Sequence, residues 1–165
     1  MTRSTGRWSS LPEHRGDGDG EYRGVVRGTW EDVNRRLTGA ILALDLDDVL
    51  VVGERQVPGR RSLLGRRPAP GRRRFVQVTA ARDVLIAECV GSTSFGGDWP
   101  MTPEQEAGLL RQGWEKPWSA EDRTFWREAP LVGAPRLALA TVRALQALGC
   151  EVEDLEAELK HEEPT

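Results

Sequence analysis

The chain has 165 residues, of which 38% are hydrophobic and 30% charged, and its formal net charge at pH 7 is −3. This length suits one domain, which buries roughly 68–70% of the surface that the unfolded chain exposes. No apolar run approaches the ~20 residues that cross a membrane, and the N-terminus lacks the apolar core of a signal peptide, so we expect a cytoplasmic protein. The two cysteines, Cys89 and Cys150, prescribe no disulfide framework.

Charge is distributed unevenly along the chain. Eight arginines and no acidic residue lie between Arg55 and Arg74, whereas the segment after Cys150 is rich in Asp and Glu. Because opposite charges attract, we expect the arginine-rich stretch to meet acidic residues, in its own tail or in a partner. Nucleic-acid binding through phosphates is an alternative that we do not favour, since the stretch lacks interleaved aromatic residues and the chain is net acidic.

Composition also suggests where the folded domain begins and ends. Residues 1–28 are rich in Gly, Ser, Asp and Arg without a hydrophobic period, which predicts a flexible N-terminal segment. The domain is then predicted to span 29–150, with a long arginine-rich loop at 54–71, and an acidic tail follows at 151–165. A short terminal helix within that tail is supported by the spacing of Val152, Leu155 and Leu159.

The first predicted element is an amphipathic helix capped by Thr29. Glu31 and Asp32 fall in its first turn, where the helix dipole favours negative charge. The period breaks at Asp45, and 49–52 is predicted to be the first strand. The apolar stripe of the helix steps by three, four, four and three through Trp30, Val33, Leu37, Ile41 and Leu44.

A β-hairpin and a second helix come next. Two β-rich runs, 75–78 and 84–90, are joined by about five residues, as in a hairpin. Helix punctuation follows, with Thr102 as the cap, Pro103 at the first helical position and Gln105 as the capping-box partner. Ala107, Leu110 and Trp114 then follow at spacings of three and four, and Gly113 is predicted to end the helix.

The last predicted elements are a short strand at 124–128 and a long helix that begins at Pro135 and stops at Gly149. The order of helix, strand, hairpin, helix, strand and helix lacks the alternation that a parallel sheet requires. We therefore predict an α+β fold, in which an antiparallel sheet of about 4–5 strands packs with three main helices. The apolar face of the last helix consists of Leu137, Thr141, Ala144, Leu145 and Leu148.

One motif points to catalysis. An apolar run that ends in Asp45 and Asp47 resembles the nucleophile motif of haloacid-dehalogenase-type phosphatases, which implies Asp45 as nucleophile and Asp47 as general acid, with magnesium. The preceding residues carry a helical stripe, however, and the later lysine of that family has only Lys116 and Lys160 as candidates, neither in a matching context. The final acidic pair of that family is also absent, so the phosphatase is the alternative reading.

Other catalytic and metal sites are not predicted. The two histidines, His14 and His161, lie in the predicted tails, so no histidine is predicted in the folded domain to act as the general base for a nucleophile. Two cysteines and two histidines scattered along the chain make no metal-ligand spacing. We therefore expect no cofactor and no metal.

Most of the aromatic residues are tryptophans, six in number. Trp30 and Trp114 lie on apolar stripes and are predicted to be in the core. Trp99, Trp118 and Trp126 cluster around the second helix, where large amphipathic rings suit a packed corner or a binding surface. Of these two readings we favour the packed corner.

The hairpin predicts a surface as well as a fold, since successive strand residues point to opposite faces. One set, which we expect to face the core, is Val76, Val78, Leu85, Ala87 and Cys89. The opposite set is polar enough to meet solvent in the free chain yet too apolar to be left bare, so we expect a partner, a second copy or one of the chain's own helices to cover it. The predicted partner-binding residues are Phe75, Gln77, Val84, Ile86, Glu88 and Val90, with Arg72, Arg73 and Arg74.

The second half of the chain resembles the type III secretion chaperone-like family, in its actinobacterial YbjN-like branch, the TY-Chap domains. The residues that carry the resemblance are Phe75–Val78, Leu85–Val90, Met101–Glu106, Leu109, Leu110, Gly113, Trp114, Pro117, Phe125, Trp126 and the closing helix from Leu137 to Leu148. The resemblance covers roughly 29–150. It implies a non-enzymatic chaperone-like or adaptor domain, often a homodimer, that binds an unidentified protein partner rather than turning over a substrate. Charge and hydropathy give no reason to expect nucleic acid or a membrane as partner.

Overall fold

The computed structural model describes residues 22–55, 73–89, 101–118 and 124–161. Within these ranges the chain forms six strands and three helices, joined in places by short 3-10 turns. The elements in chain order are β1 (Tyr22–Val25), α1 (Trp30–Leu42), β2 (Asp48–Glu54), β3 (Phe75–Ala80), β4 (Val84–Cys89), α2 (Pro103–Arg111), β5 (Phe125–Pro130), α3 (Ala134–Ala147) and β6 (Leu155–His161).

The strands form one sheet in the order β1-β6-β2-β3-β4-β5, and every neighbouring pair is antiparallel. This confirms the predicted α+β class with an antiparallel sheet. The strand count is higher than the predicted four to five, because β1 and β6 join the sheet from outside the predicted 29–150 boundaries.

Strand β6 replaces the short terminal helix that the apolar spacing predicted. Leu155 and Ala157 are buried on one side of the strand and alternate with Glu156 and Glu158, which is the period of two that a strand requires. The strand lies between β1 and β2, so both of its edges are hydrogen-bonded. Of the three residues whose spacing predicted a helix, only Val152 lies in a helical turn, the 3-10 turn Val152–Asp154.

The helix ends follow the predicted punctuation. Thr102 and Gln105 form the expected capping box, and Thr29 forms a second box with Asp32. In that box the backbone and side chain of Thr29 donate hydrogen bonds to the Asp32 carboxylate, which lowers the pKa of this exposed group. Gly113 and Gly149 take positive φ angles of 88° and 80° just past α2 and α3, the left-handed conformation that favours glycine.

All three helices contribute to a single large core against one side of the sheet, which we call the first face. The sheet residues of this core include the predicted inward set of Val76, Val78, Leu85, Ala87 and Cys89. From the helices, Leu37, Leu109 and Leu137 are buried in the same cluster. The predicted inward face of the hairpin is therefore confirmed.

Candidate functional site

The opposite side of the sheet, the second face, is built from the alternate residues of the same strands. Cross-strand neighbours such as Gln77 and Glu88, or Glu88 and Trp126, share a face, so the register of the ladders fixes its membership. The second face includes Val49, Val51, Phe75, Gln77, Thr79, Val84, Ile86, Glu88, Trp126, Glu128, Glu156, Glu158 and Lys160. Five of the predicted partner-binding residues lie on it, whereas Val90 and Arg72 fall outside the described residues.

One part of the second face is buried. Val49, Val51 and Phe75 form a second, smaller apolar cluster, and the polar side chain of Gln77 beside them is only 5% exposed. No residue of the described helices belongs to this cluster. Of the three alternatives for its cover, the last helix is not the one seen at this cluster, because the broad apolar side of α3 packs against α1 and the first face. A partner or a second copy stays a prediction.

The other part of the second face, at β4 and β5, is accessible. We call it the open end and define it as Val84, Ile86, Glu88, Trp126 and Glu128. The first four are half-buried, and Glu128 is exposed. The open end therefore combines aliphatic, aromatic and acidic surface on one side of two paired strands.

A pair of stacked tryptophans borders the open end. The rings of Trp118 and Trp126 lie 4.9 Å apart between centroids at an interplanar angle of 19°, and Trp118 is 78% exposed. The Trp126 indole N–H donates to the Lys116 carbonyl at 3.0 Å, and the Trp126 backbone exchanges two hydrogen bonds with Glu115. These contacts fix the inner ring and leave the outer ring in solvent.

The tryptophan predictions divide accordingly. Trp114 is buried in the core as predicted, whereas Trp30 is half-buried and packs against the core. Trp118 and Trp126 do come together, although the exposure of Trp118 makes this corner a surface feature. Trp99 lies outside the described residues.

Among the described side chains of the second face, Glu88, Glu128, Glu156 and Glu158 are acidic, whereas Lys160 and Arg73 are basic, so the acids are in excess. Lys160 Nζ lies 3.5 Å from Glu158 Oε1, which offsets one of these charges. The Gln77 amide nitrogen donates to the Glu88 carboxylate, in a direct side-chain contact between β3 and β4.

Arg73 supplies a second cation to the β6 side of this face. Its guanidinium carbon lies 5.1 Å from the centroid of the Phe75 ring, and one of its nitrogens lies 3.6 Å from Glu156 Oε1. The predicted contact between the arginine-rich stretch and the acidic C-terminal residues is thus confirmed for Arg73. At the other end of that stretch, Arg55 donates to the Glu153 carbonyl at 2.7 Å.

Arg74 points to a different part of the molecule. Its backbone N–H and its guanidinium both donate to the Glu54 carboxylate, and its Nη1 donates to the Leu148 carbonyl at 2.7 Å. The side-chain hydrogen bond from Arg74 is the main cause that lowers the pKa of Glu54. Arg74 therefore links β2, β3 and the C-terminal end of α3, so its guanidinium is used within the chain.

The phosphatase motif occupies a turn. Asp45 and Asp47 lie between α1 and β2, so Asp45 follows a helix where the resemblance requires a strand. The Asp45 N–H donates to the Asp48 carboxylate at 3.0 Å, and the other oxygen of Asp48 lies 2.7 Å from His161 Nδ1. The described residues contain no group of three or more His, Cys, Asp or Glu placed to hold a metal ion.

Cys89 and Cys150 are both free and buried. Burial raises the pKa of both thiols, that of Cys150 to about 12. None of the helices in the described ranges is long and apolar enough to span a membrane.

Comparison with known proteins identifies one family. Residues 23–157 match the model of TY-Chap3, described as "T3SS (YopN, CesT) and YbjN peptide-binding chaperone 3". No curated protein and no solved structure matches the chain. The matched range runs from β1 into β6 and so includes both strands that lie outside the predicted boundaries.

Proposed function

The chain belongs to the TY-Chap3 family of peptide-binding chaperones, and from this premise we propose that it is a non-enzymatic chaperone-like or adaptor domain that binds an extended segment of a partner protein at the open end of the second face. The observation that carries this proposal is the half-buried apolar surface of Val84, Ile86 and Trp126, which belongs to neither of the two buried apolar clusters.

Physical chemistry favours this surface as a binding site. Each Å² of apolar surface that a peptide removes from water contributes roughly 25 cal/mol. An extended peptide presents its side chains with a period of two, as a strand does, so alternate side chains reach the same face. The acidic groups at the same end supply polar contacts that distinguish one peptide from another.

An array of short synthetic peptides of varied sequence tests the proposal. We expect the full chain to bind a subset of these peptides, and Ile86→Glu to abolish that binding while its circular dichroism stays that of the folded protein. The inward neighbour Val78 provides the matched control, since Val78→Ala weakens the core without changing the second face. Binding that persists in a folded Ile86→Glu protein contradicts the proposed site.

We further propose that the domain acts without turnover. This is supported by membership of a peptide-binding family and by the position of Asp45 in a turn after a helix. Asp45→Asn is expected to leave any phosphatase background of the purified protein unchanged. A magnesium-dependent activity that vanishes in this variant overturns the proposal.

We also propose that the partner is a protein, that the location is cytoplasmic and that the domain forms a homodimer. A cytoplasmic location is supported by two free thiols, since disulfides are rare in that compartment. The internal contacts of Arg73 and Arg74 support a protein partner over nucleic acid. Micromolar DNA or RNA binding near physiological salt, lost on changing Arg72, Arg73 and Arg74 to Ala, contradicts this choice, and light scattering tests the predicted homodimer.

A further inference from the structure

We propose that Glu88 and Trp126 of the open end, together with the neighbouring Trp118, Glu115 and Gln77, form a subsite for an arginine side chain of the bound peptide. This inference deepens the proposed function and rests on it. Three independent features of these residues point to a guanidinium group.

The first feature is the aromatic corner. Trp118 is 78% exposed and is held flat against Trp126, whose indole nitrogen is bonded to a backbone carbonyl. A guanidinium is planar and weakly hydrated, so it stacks on an indole face more readily than an ammonium does. The outer face of Trp118 therefore offers a platform for such a group.

The second feature is the pair of carboxylates on either side of Trp126. Glu88 is its cross-strand neighbour on β4, and Glu115 is its bridge partner on the other side. Residues paired in this way project from the same face. The inner tryptophan is thus flanked by two acidic side chains.

The two ends of the second face differ in how their acids are compensated. Towards β6, Glu156 faces Arg73 and Glu158 faces Lys160. Neither Glu88 nor Glu115 forms an ion pair within the described part of the chain. A cation supplied by a ligand therefore meets uncompensated charge at the open end.

The third feature is a hydrogen-bond acceptor without a donor, the side-chain oxygen of Gln77. The Gln77 amide nitrogen donates to Glu88, and because a carboxylate only accepts, this bond fixes the orientation of the amide. The Gln77 oxygen is then left buried, and no donor among the described residues reaches it. A buried acceptor without a partner is costly. A guanidinium that donates to Glu88 has further N–H donors for this oxygen once the Gln77 and Glu88 side chains adjust to the bound arginine.

The experiment compares arginine with citrulline, its neutral isostere, in the peptide that binds best on the array. For the wild-type chain we expect arginine to be enriched among binders, and its replacement by citrulline to weaken affinity about tenfold or more. In Glu88→Gln the same replacement is expected to change affinity less than about threefold. Glu106→Gln, which removes an exposed carboxylate on α2, is the matched control and is expected to behave like wild type.

Two further variants keep the test decisive if Glu88→Gln does not fold. Glu115→Gln changes an exposed residue and is expected to reduce the arginine preference. Trp118→Ala is expected to lower affinity for the arginine peptide about two- to fivefold.

The outcomes separate this inference from the proposed function. Peptides that bind equally well with citrulline or lysine in place of arginine overturn the arginine subsite and leave the peptide-binding function standing. An array on which no peptide binds at all overturns both.

Discussion

Leu85 and Ile86 are neighbours on β4, yet they belong to different environments. Leu85 is 2% exposed in the core beneath the three helices, whereas Ile86 is half-buried on the side to which the described helices contribute no core residue. The first face is apolar along its central strands, while the second face mixes apolar residues with glutamates. The first face therefore holds the large apolar core that stabilises the domain, whereas the open end of the second face stays accessible.

The largest expected difference between the two faces is their response to an introduced charge. Leu85→Glu buries an unpaired carboxylate in a well-packed core and is expected to unfold the domain. Ile86→Glu places the same charge on accessible surface and is expected to leave the fold intact. Circular dichroism with urea titration distinguishes the two, and equal loss of structure in both variants contradicts the assignment of faces.

The next largest effect concerns Arg74, which links elements at the border of the first face. Arg74→Ala removes the guanidinium hydrogen bonds to the Glu54 carboxylate and the Leu148 carbonyl, which then keep, among the described residues, only the backbone N–H of residue 74 and a long hydrogen bond from Gln105. We therefore expect a loss of about 1–3 kcal/mol of unfolding free energy. Arg35→Ala, which removes an exposed partner of Asp32, is the control and is expected to cost less than about 0.5 kcal/mol. Comparable losses in the two variants rule out a special role for Arg74.

The Glu54–Arg74 pair also predicts a pH dependence. Because the hydrogen bond from Arg74 lowers the pKa of Glu54 in the folded state, its stabilisation is present above the ordinary value of 4.5 and is lost as the pH falls through the lowered value. Urea midpoints of wild type and Glu54→Gln are therefore expected to differ at pH 7 and to converge in acid. A difference that grows as the pH falls has the wrong sign for this account.

The smallest expected effect lies on the second face. Trp118→Ala removes a mostly exposed ring, so we expect the unfolding free energy to change by less than about 0.5 kcal/mol. The same variant is expected to weaken peptide binding. A large loss of stability here indicates that the tryptophan corner is a structural feature instead.

Local patterns predicted much of this fold from the sequence. The two capping threonines, the hairpin and its inward residues depend on spacings within a few residues. Strands β1 and β6 were missed because their identity depends on pairing with distant segments, as between Leu50 and Leu159. The glutamates at alternate positions of β6 also favoured the prediction of an acidic tail, because glutamate is depleted in strands.

The site was predictable only in part. The period of two placed Gln77, Ile86 and Glu88 on one face. The closeness of Trp118 and Trp126 in the sequence predicted that these rings lie near each other. The stacking of Trp118 on Trp126 and the bridge from Glu115 depend on how the chain returns after α2, which no short pattern encodes. The contact of Arg74 with Leu148 likewise joins residues 74 positions apart.

One measurement tests the central claim most directly, because the chain contains only two isoleucines, one for each face. Ile41 is buried in the core of the first face, and Ile86 lies at the open end of the second. In a protein labelled at the isoleucine δ1 methyl groups, titration with a peptide that binds on the array is expected to shift the Ile86 signal and leave the Ile41 signal in place. A shift of Ile41 alone, or of neither signal at saturating peptide, contradicts the proposal that the second face is the binding surface.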